Sequence, residues 1–132
     1  MNYPNKAQAY QNVNLSQAAS ADSHLLIQML YDGALQTLAG AKGAMQRNQV
    51  AEKGLLIGKV ISILDGLRAY LDLEKGGEIA RNLSDLYVYM ENSLFEANFK
   101  NDIQKLDEVG QLLGTLRSGW AGIREQVKDK AS

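Results

Sequence analysis

The sequence predicts an all-α protein, an antiparallel up-down four-helix bundle with an N-terminal arm. Three observations carry this. Apolar residues recur at spacings of three and four in four long runs. The joints between the runs are short and polar. No stretch alternates with the period of two that a half-buried strand needs. Four long helices on short connections pack most simply as antiparallel neighbours. At 132 residues the chain is about one domain, long enough to bury a core without covalent staples.

Residues 1–21 read as the arm, 22–128 as the bundle and 129–132 as a fraying tail. The arm is polar, and beyond Met1 its sizeable apolar groups are Tyr3, Tyr10, Val13 and Leu15. It contains no apolar stretch of the kind that forms a signal-peptide core. Asp22 is expected to cap the first helix, over about 23–46, with Ile27, Leu30, Tyr31, Ala34, Leu38, Ala41 and Met45 on one face. Arg47-Asn48-Gln49 breaks it. The second helix is predicted over about 50–73, lined by Ile57, Val60, Ile61, Leu64, Leu67 and Leu71. Glu74-Lys75-Gly76-Gly77 is its expected stop. The third, over about 79–99, turns Leu83, Leu86, Tyr87, Met90, Leu94 and Ala97 inward. Asp102 can cap the fourth, over about 102–128. That helix has the cleanest pattern: Leu106, Val109, Leu113, Leu116, Trp120, Ile123 and Val127, the seam of a bundle.

Composition removes most catalytic classes. Without cysteine there is no disulfide framework, thiolate metal site or Cys nucleophile. One histidine cannot make a His-pair metal site, and a bundle di-iron centre wants Glu-x-x-His on two helices, whereas Ala21 stands three before His24. His24 is expected to face solvent or cap the first helix. The pairs Asp65/Asp72 and Glu91/Glu96 are expected on solvated faces. Gly76-Gly77 lacks the Lys-Ser/Thr of a phosphate loop. The sequence therefore predicts no enzyme, cofactor or metal. Fourteen basic against fifteen acidic residues give a net charge of −1, and the Tyr87-Val88-Tyr89 cluster has no basic groove around it. Nucleic acid is not the expected partner. No apolar run is long enough to span a membrane, so a soluble cytoplasmic protein is expected.

What remains is apolar surface in excess. Leu56, Ile63 and Tyr70 form a second stripe on the second helix, and Val88, Phe95 and Phe99 fall on another face of the third. Surplus stripes suit either a groove for an amphipathic helix or a homodimer interface. The alternative to a client-binding protein is thus a homo-oligomerising structural bundle.

Met29-Leu30-Tyr31-Asp32-Gly33-Ala34-Leu35 resembles the signature of the flagellin export chaperones, the FliS family. The resemblance continues through Leu71-Asp72-Leu73-Glu74, Asn82-Leu83, Leu86-Tyr87-Val88-Tyr89-Met90, Leu94-Phe95-Glu96-Ala97-Asn98, Asp107-Glu108-Val109 and Trp120. Tyr10 matches the family's N-terminal tyrosine. Asp22-Ser23 stands where the family often has Ser-Pro, and Asp still caps. The resemblance implies a cytosolic four-helix chaperone for the C-terminal region of flagellin. That segment is disordered when free, becomes helical on the chaperone, and is kept from premature polymerisation. The complex is presented to the flagellar type III export gate, and a co-chaperone is a further possible partner.

The residues place the groove at Leu56, Ile63, Tyr70, Val88, Phe95 and Phe99, with Tyr10, Val13 and Leu15 of the arm lying over it in the free protein. Of the motif residues, Tyr31 and Tyr87 are expected in the core with their hydroxyls at the rim, Asp32 and Asn98 in hydrogen bonds between helices or near their ends, and Gly33 inside the first helix. Trp120 is expected in the core. Ten of the twelve glycines fall inside helices rather than turns. Each costs its helix about 0.5–1 kcal/mol relative to Ala, which predicts close helix–helix approach or room for a client.

Overall fold

The four apolar runs become four helices: α1 Ser23–Gln46, α2 Val50–Ala69, α3 Leu73–Lys100 and α4 Ile103–Ala131. The computed structural model describes residues 23–131, and side chains over 23–122. Asp22 and the arm residues Tyr10, Val13 and Leu15 lie outside the described residues.

Each helix end has a local cause. After α1, Asn48 takes a left-handed conformation (φ 57°), and the Gln49 amide donates 2.9 Å to the Ala44 carbonyl. This satisfies a carbonyl that the helix would otherwise leave open. Asn101 (φ 55°) does the same after α3, where the Asp102 amide donates 3.0 Å to the Ala97 carbonyl. Asp102 caps α4 as expected, accepting from the Gln104 and Lys105 amides at 3.1 and 3.4 Å.

Two boundaries differ from the sequence reading. Helix α2 stops at Ala69 rather than 73, because Asp72 caps α3, accepting from the Glu74 and Lys75 amides at 3.1 and 3.0 Å. A capping carboxylate begins a helix, so Glu74-Lys75-Gly76 is the first turn of α3 and not the stop of α2. The break expected at the glycines is real, but it lies within α3: Gly77 (φ 56°, ψ −133°) kinks the helix. Gly76 also needs its missing side chain, since a Cβ there would sit 2.5 Å from that of Ala80. At the other end α4 continues to Ala131, with neither Gly nor Pro after Gly122 to stop it.

The cross-links run in opposite order on paired helices, which fixes the antiparallel arrangement. Between α1 and α4 they are Lys42–Asp107 at 2.6 Å, Asp32–Arg117, and Trp120 Nε1 donating 2.8 Å to the His24 carbonyl. Between α2 and α3 they are Lys53 to Asn98 and Arg68 to Glu91; between α3 and α4, Tyr89–Glu108 and Glu96–Lys105. Helix α1 also packs on α2, closing a ring in which, among the described residues, no diagonal pair of helices comes into contact through its backbone.

The core inside the ring is apolar and dense: Ala34, Ile57, Val60, Leu64, Met90, Leu94, Leu106, Val109 and Leu113 are fully enclosed. Tyr31 and Tyr87 reach across the diagonal from α1 and α3, and their hydroxyls share a buried hydrogen bond of 2.5 Å. The hydroxyls therefore do not lie at the rim. Two long phenols on opposite helices meet at the bundle axis, where only each other can satisfy them. Burial raises both phenol pKa values above the ordinary range.

Candidate protein-binding face

The six proposed groove residues divide into two sets. Ile63 is 8% exposed and belongs to the core, and Leu56 is half-buried against it. Both serve the α1–α2 seam: a Cβ on Gly40 would meet Leu56 at 3.4 Å, and one on Gly33 would meet Ile63 at 3.9 Å. Their stripe is not surplus. It fills the space that the α1 glycines leave, which corrects the view of them as free surface. Tyr70, Val88, Phe95 and Phe99 are exposed, Phe95 by 60% and Phe99 by 88%.

Val88, Phe95 and Phe99 define an exposed face of α3 beside α2, whereas Tyr70 continues the stripe of Leu56 and Ile63 past the end of α2, on the α1 side. On α3, Glu91 and Asn98 are turned to α2, while Tyr89 and Glu96 are turned to α4. Val88, Phe95 and Phe99, spaced by seven and four, continue round α3 beyond Glu91 and Asn98 on the outer side. On α2, Gly54 faces Asn98 at 3.9 Å, and Gly58, one turn on, has nothing within 4 Å. A shallow apolar trough results, with aromatic rings on one bank and bare backbone on the other. Leu55 and Val50 extend its apolar surface at the α2 N-terminus, and Leu73 and Ile79 stand exposed near the α2–α3 connection.

Two charged groups near this face escaped the sequence reading. Lys53 is 6% exposed, donating 3.0 Å to the Asn98 carbonyl and 3.1 Å to Asn101 Oδ1. The signal was available: Lys53 lies four before Ile57 and seven before Val60, on the apolar stripe. Glu91 was expected on a solvated face and is 8% exposed instead. Its Oε2 makes no hydrogen bond and lies 3.7 Å from Arg68. Burial first, and the neighbouring Asp65 carboxyl second, push its pKa up to about 7 against the pull of Arg68. Its position beside Met90 and three before Leu94 borders the core stripe, so burial follows from helix geometry.

The remaining motif residues are structural in their contacts. Asp32 pairs with Arg117 across α1–α4. Asn98 offers its carbonyl to Lys53. Trp120 is half-buried at the edge of the core, its ring stacked on His24 at 4.2 Å and 11°. His24 thus faces an indole rather than solvent, because the first turn of α1 lies against α4. Among the described residues no cluster of three His, Asp or Glu side chains could hold a metal ion, and no helix is long and apolar enough to cross a membrane.

Residues 6–127 match the family model described as flagellar protein FliS. The chain is 54% identical over 115 residues to the flagellar secretion chaperone FliSB of Pseudomonas aeruginosa, covering 86% of this chain and 91% of that protein. It is 45% identical over 126 residues to the flagellar secretion chaperone FliS of Salmonella typhimurium, covering 94% and 90%. To that of Bacillus subtilis it is 28% identical over 123 residues, covering 92% and 89%. A match of this extent, with its relatives named as chaperones, agrees with a bundle that exposes apolar surface, and the chain belongs to the FliS family of flagellar secretion chaperones.

Proposed function

We propose that this protein is a cytoplasmic export chaperone that holds the C-terminal segment of flagellin as a helix along the α2–α3 face, keeps it from polymerising, and delivers it to the export gate. The observation that carries this reading is the trough of exposed Phe95 and Phe99 beside Gly54 and Gly58. Rings of this size stay in water only at a cost, on the order of 1.5–3 kcal/mol each. Bare backbone opposite them lets a helix approach closely. A client that folds on binding spends about 2–5 kcal/mol on ordering, so it needs a long apolar contact of this kind.

Titration of the flagellin C-terminal segment, followed by circular dichroism and calorimetry, tests the reading. The expected result is a gain of helix with a large negative heat-capacity change. No binding at tens of micromolar overturns it. Light scattering on the free protein separates it from the homo-oligomerising bundle, in which a tight dimer would already occupy the face. Tyr10, Val13 and Leu15 are assigned to cover part of the face before the client arrives. Removal of residues 1–17 is then expected to raise client affinity or association rate with the fold unchanged; equal or weaker binding refutes the cover.

A further inference from the structure

On the α2–α3 seam two carboxyl groups share one guanidinium. Arg68 lies 3.2 Å from Asp65 and 3.7 Å from Glu91. The two contacts are unequal. Arg68 donates a hydrogen bond to Asp65, whereas Glu91 Oε2 accepts from no donor. The two carboxyls also differ in access: the Asp65 side chain is about half exposed, and Glu91 is buried. With both ionised, the cluster carries one negative charge in excess, and the buried member is the one left without a hydrogen bond. An ion in that position is costly.

No further charge among the described residues relieves it. Helix α3 packs on α2 and α4. The α3 side chains turned to α4 are Tyr89 and Glu96, and they engage Glu108 and Lys105 there. On α3 itself the residues three and four away from Glu91 are Tyr87, Val88, Leu94 and Phe95, all uncharged. The charged groups that face Glu91 are thus Asp65 and Arg68, both from α2. In the free protein, burial and Asp65 together hold the Glu91 carboxyl at about 7 against the pull of Arg68. Water over the exposed parts of Asp65 and Arg68 is what keeps its ionisation within reach.

The cluster lies within the exposed apolar face. Glu91 stands three after Val88 and four before Phe95, its neighbours on the helix surface. Asp65 stands eleven after Gly54 and seven after Gly58, on the same side of α2. We infer that a helix covering this face drives one proton from solvent onto Glu91. Cover takes the water away from Asp65 and Arg68, and an excess charge shut in without water is expensive. Uptake of the proton leaves Arg68 paired with the Asp65 carboxylate. It also turns Glu91 into a neutral donor, whose O–H has the Asp65 carboxylate as its acceptor. Client affinity therefore falls as pH rises above neutrality, a dependence that apolar contact alone does not carry.

The inference rests on the proposed client, and its test keeps the two apart. The flagellin C-terminal segment is titrated calorimetrically into the wild-type protein and into Glu91→Gln, at each pH in two buffers of different ionisation enthalpy. The dependence of the heat on the buffer counts the protons exchanged. Wild type is expected to take up close to one proton at about pH 8 and about half of one at about pH 7, where the free carboxyl is already half protonated. Its affinity should fall about fivefold between those two values. Glu91→Gln should bind without that uptake and without that fall. Binding by wild type with no proton uptake overturns the inference and leaves the chaperone reading standing; a segment that brings its own cation to the pair would behave this way. Equal uptake by wild type and Glu91→Gln places the proton elsewhere and also overturns it. Absence of binding overturns both readings. If Glu91→Gln does not fold, Asp65→Asn serves instead. It leaves the guanidinium to Glu91 and is expected to reduce the uptake, and undiminished uptake refutes the inference.

Discussion

The α1–α4 seam and the α2–α3 seam are built from the same kind of helix and finished differently. Along α1–α4 the chain makes most of its contacts with itself, although both ring nitrogens of His24, stacked on Trp120, are buried without a hydrogen-bond partner. Asp32 meets Arg117, Lys42 meets Asp107, the Trp120 indole donates to the His24 carbonyl, and Gly110 is thin where Leu38 comes within 3.4 Å of its would-be Cβ. Along α2–α3 the same means are left open. Gly58 is thin against empty space, Phe95 and Phe99 point to water, and Glu91 is buried with one oxygen lacking a hydrogen bond. A glycine that admits a neighbour's side chain serves the fold. A glycine that admits nothing in the free protein is free to serve a partner.

The largest effects should break this contrast most clearly. Leu113→Ala, in the enclosed core, is expected to lower stability by about 2–5 kcal/mol. Phe95→Asp and Phe99→Asp should leave chemical-denaturation stability within about 0.5 kcal/mol of wild type and weaken binding of the flagellin segment by at least about thirtyfold. Loss of stability from the Phe variants comparable to that from Leu113→Ala would mean that their face is part of the fold after all. The tyrosine pair gives a smaller effect inside the core. Tyr31→Phe alone strands the Tyr87 hydroxyl and should cost about 1–3 kcal/mol, whereas Tyr31→Phe with Tyr87→Phe should recover much of that loss. Urea melts of the three variants measure the difference.

Acid titration sharpens the comparison at the open seam. Glu91 has its folded pKa raised to about 7 from an ordinary value of 4.5. Between these values the folded chain holds a proton that the unfolded chain has lost. The contribution is fully present below about pH 4.5 and is lost as pH rises through about 7. Thermal stability attributable to this group therefore falls across that window. Glu91→Gln should flatten the slope. Melting curves at several pH values decide it.

The helices, their inward stripes and the exposed aromatics of α3 were legible because each depends on spacing within one helix. Tyr87, Met90 and Leu94 needed only the helical period. What spacing could not assign was which neighbour a second stripe meets. Leu56 and Ile63 repeat at the same interval as an exposed stripe, and only the α1 glycines opposite them turn that stripe into core. Glu91 was hidden for the converse reason: its charge suggested solvent, while its place next to Met90 put it under Arg68. The end of α2 was misplaced because Asp72 competes for the backbone as a cap, a local hydrogen bond that outweighs four more residues of apolar period.

The smallest expected effects are the most discriminating, because they ask what each glycine is for. Gly114 and Gly58 both have open space where a Cβ would be, so Gly→Ala at either should stabilise its helix by about 0.5–1 kcal/mol. At Gly40 and Gly110 the new methyl meets Leu56 or Leu38 at 3.4 Å, tight enough to offset that gain. Stability alone therefore does not separate Gly58 from Gly114, but binding does. If the client helix lies on the trough, a methyl at Gly58 holds it away from the backbone and weakens the flagellin segment by about tenfold, while Gly114→Ala leaves affinity unchanged. Equal affinity for both variants would move the client off the α2 bank of the trough and leave Gly58 serving neither the fold nor the partner.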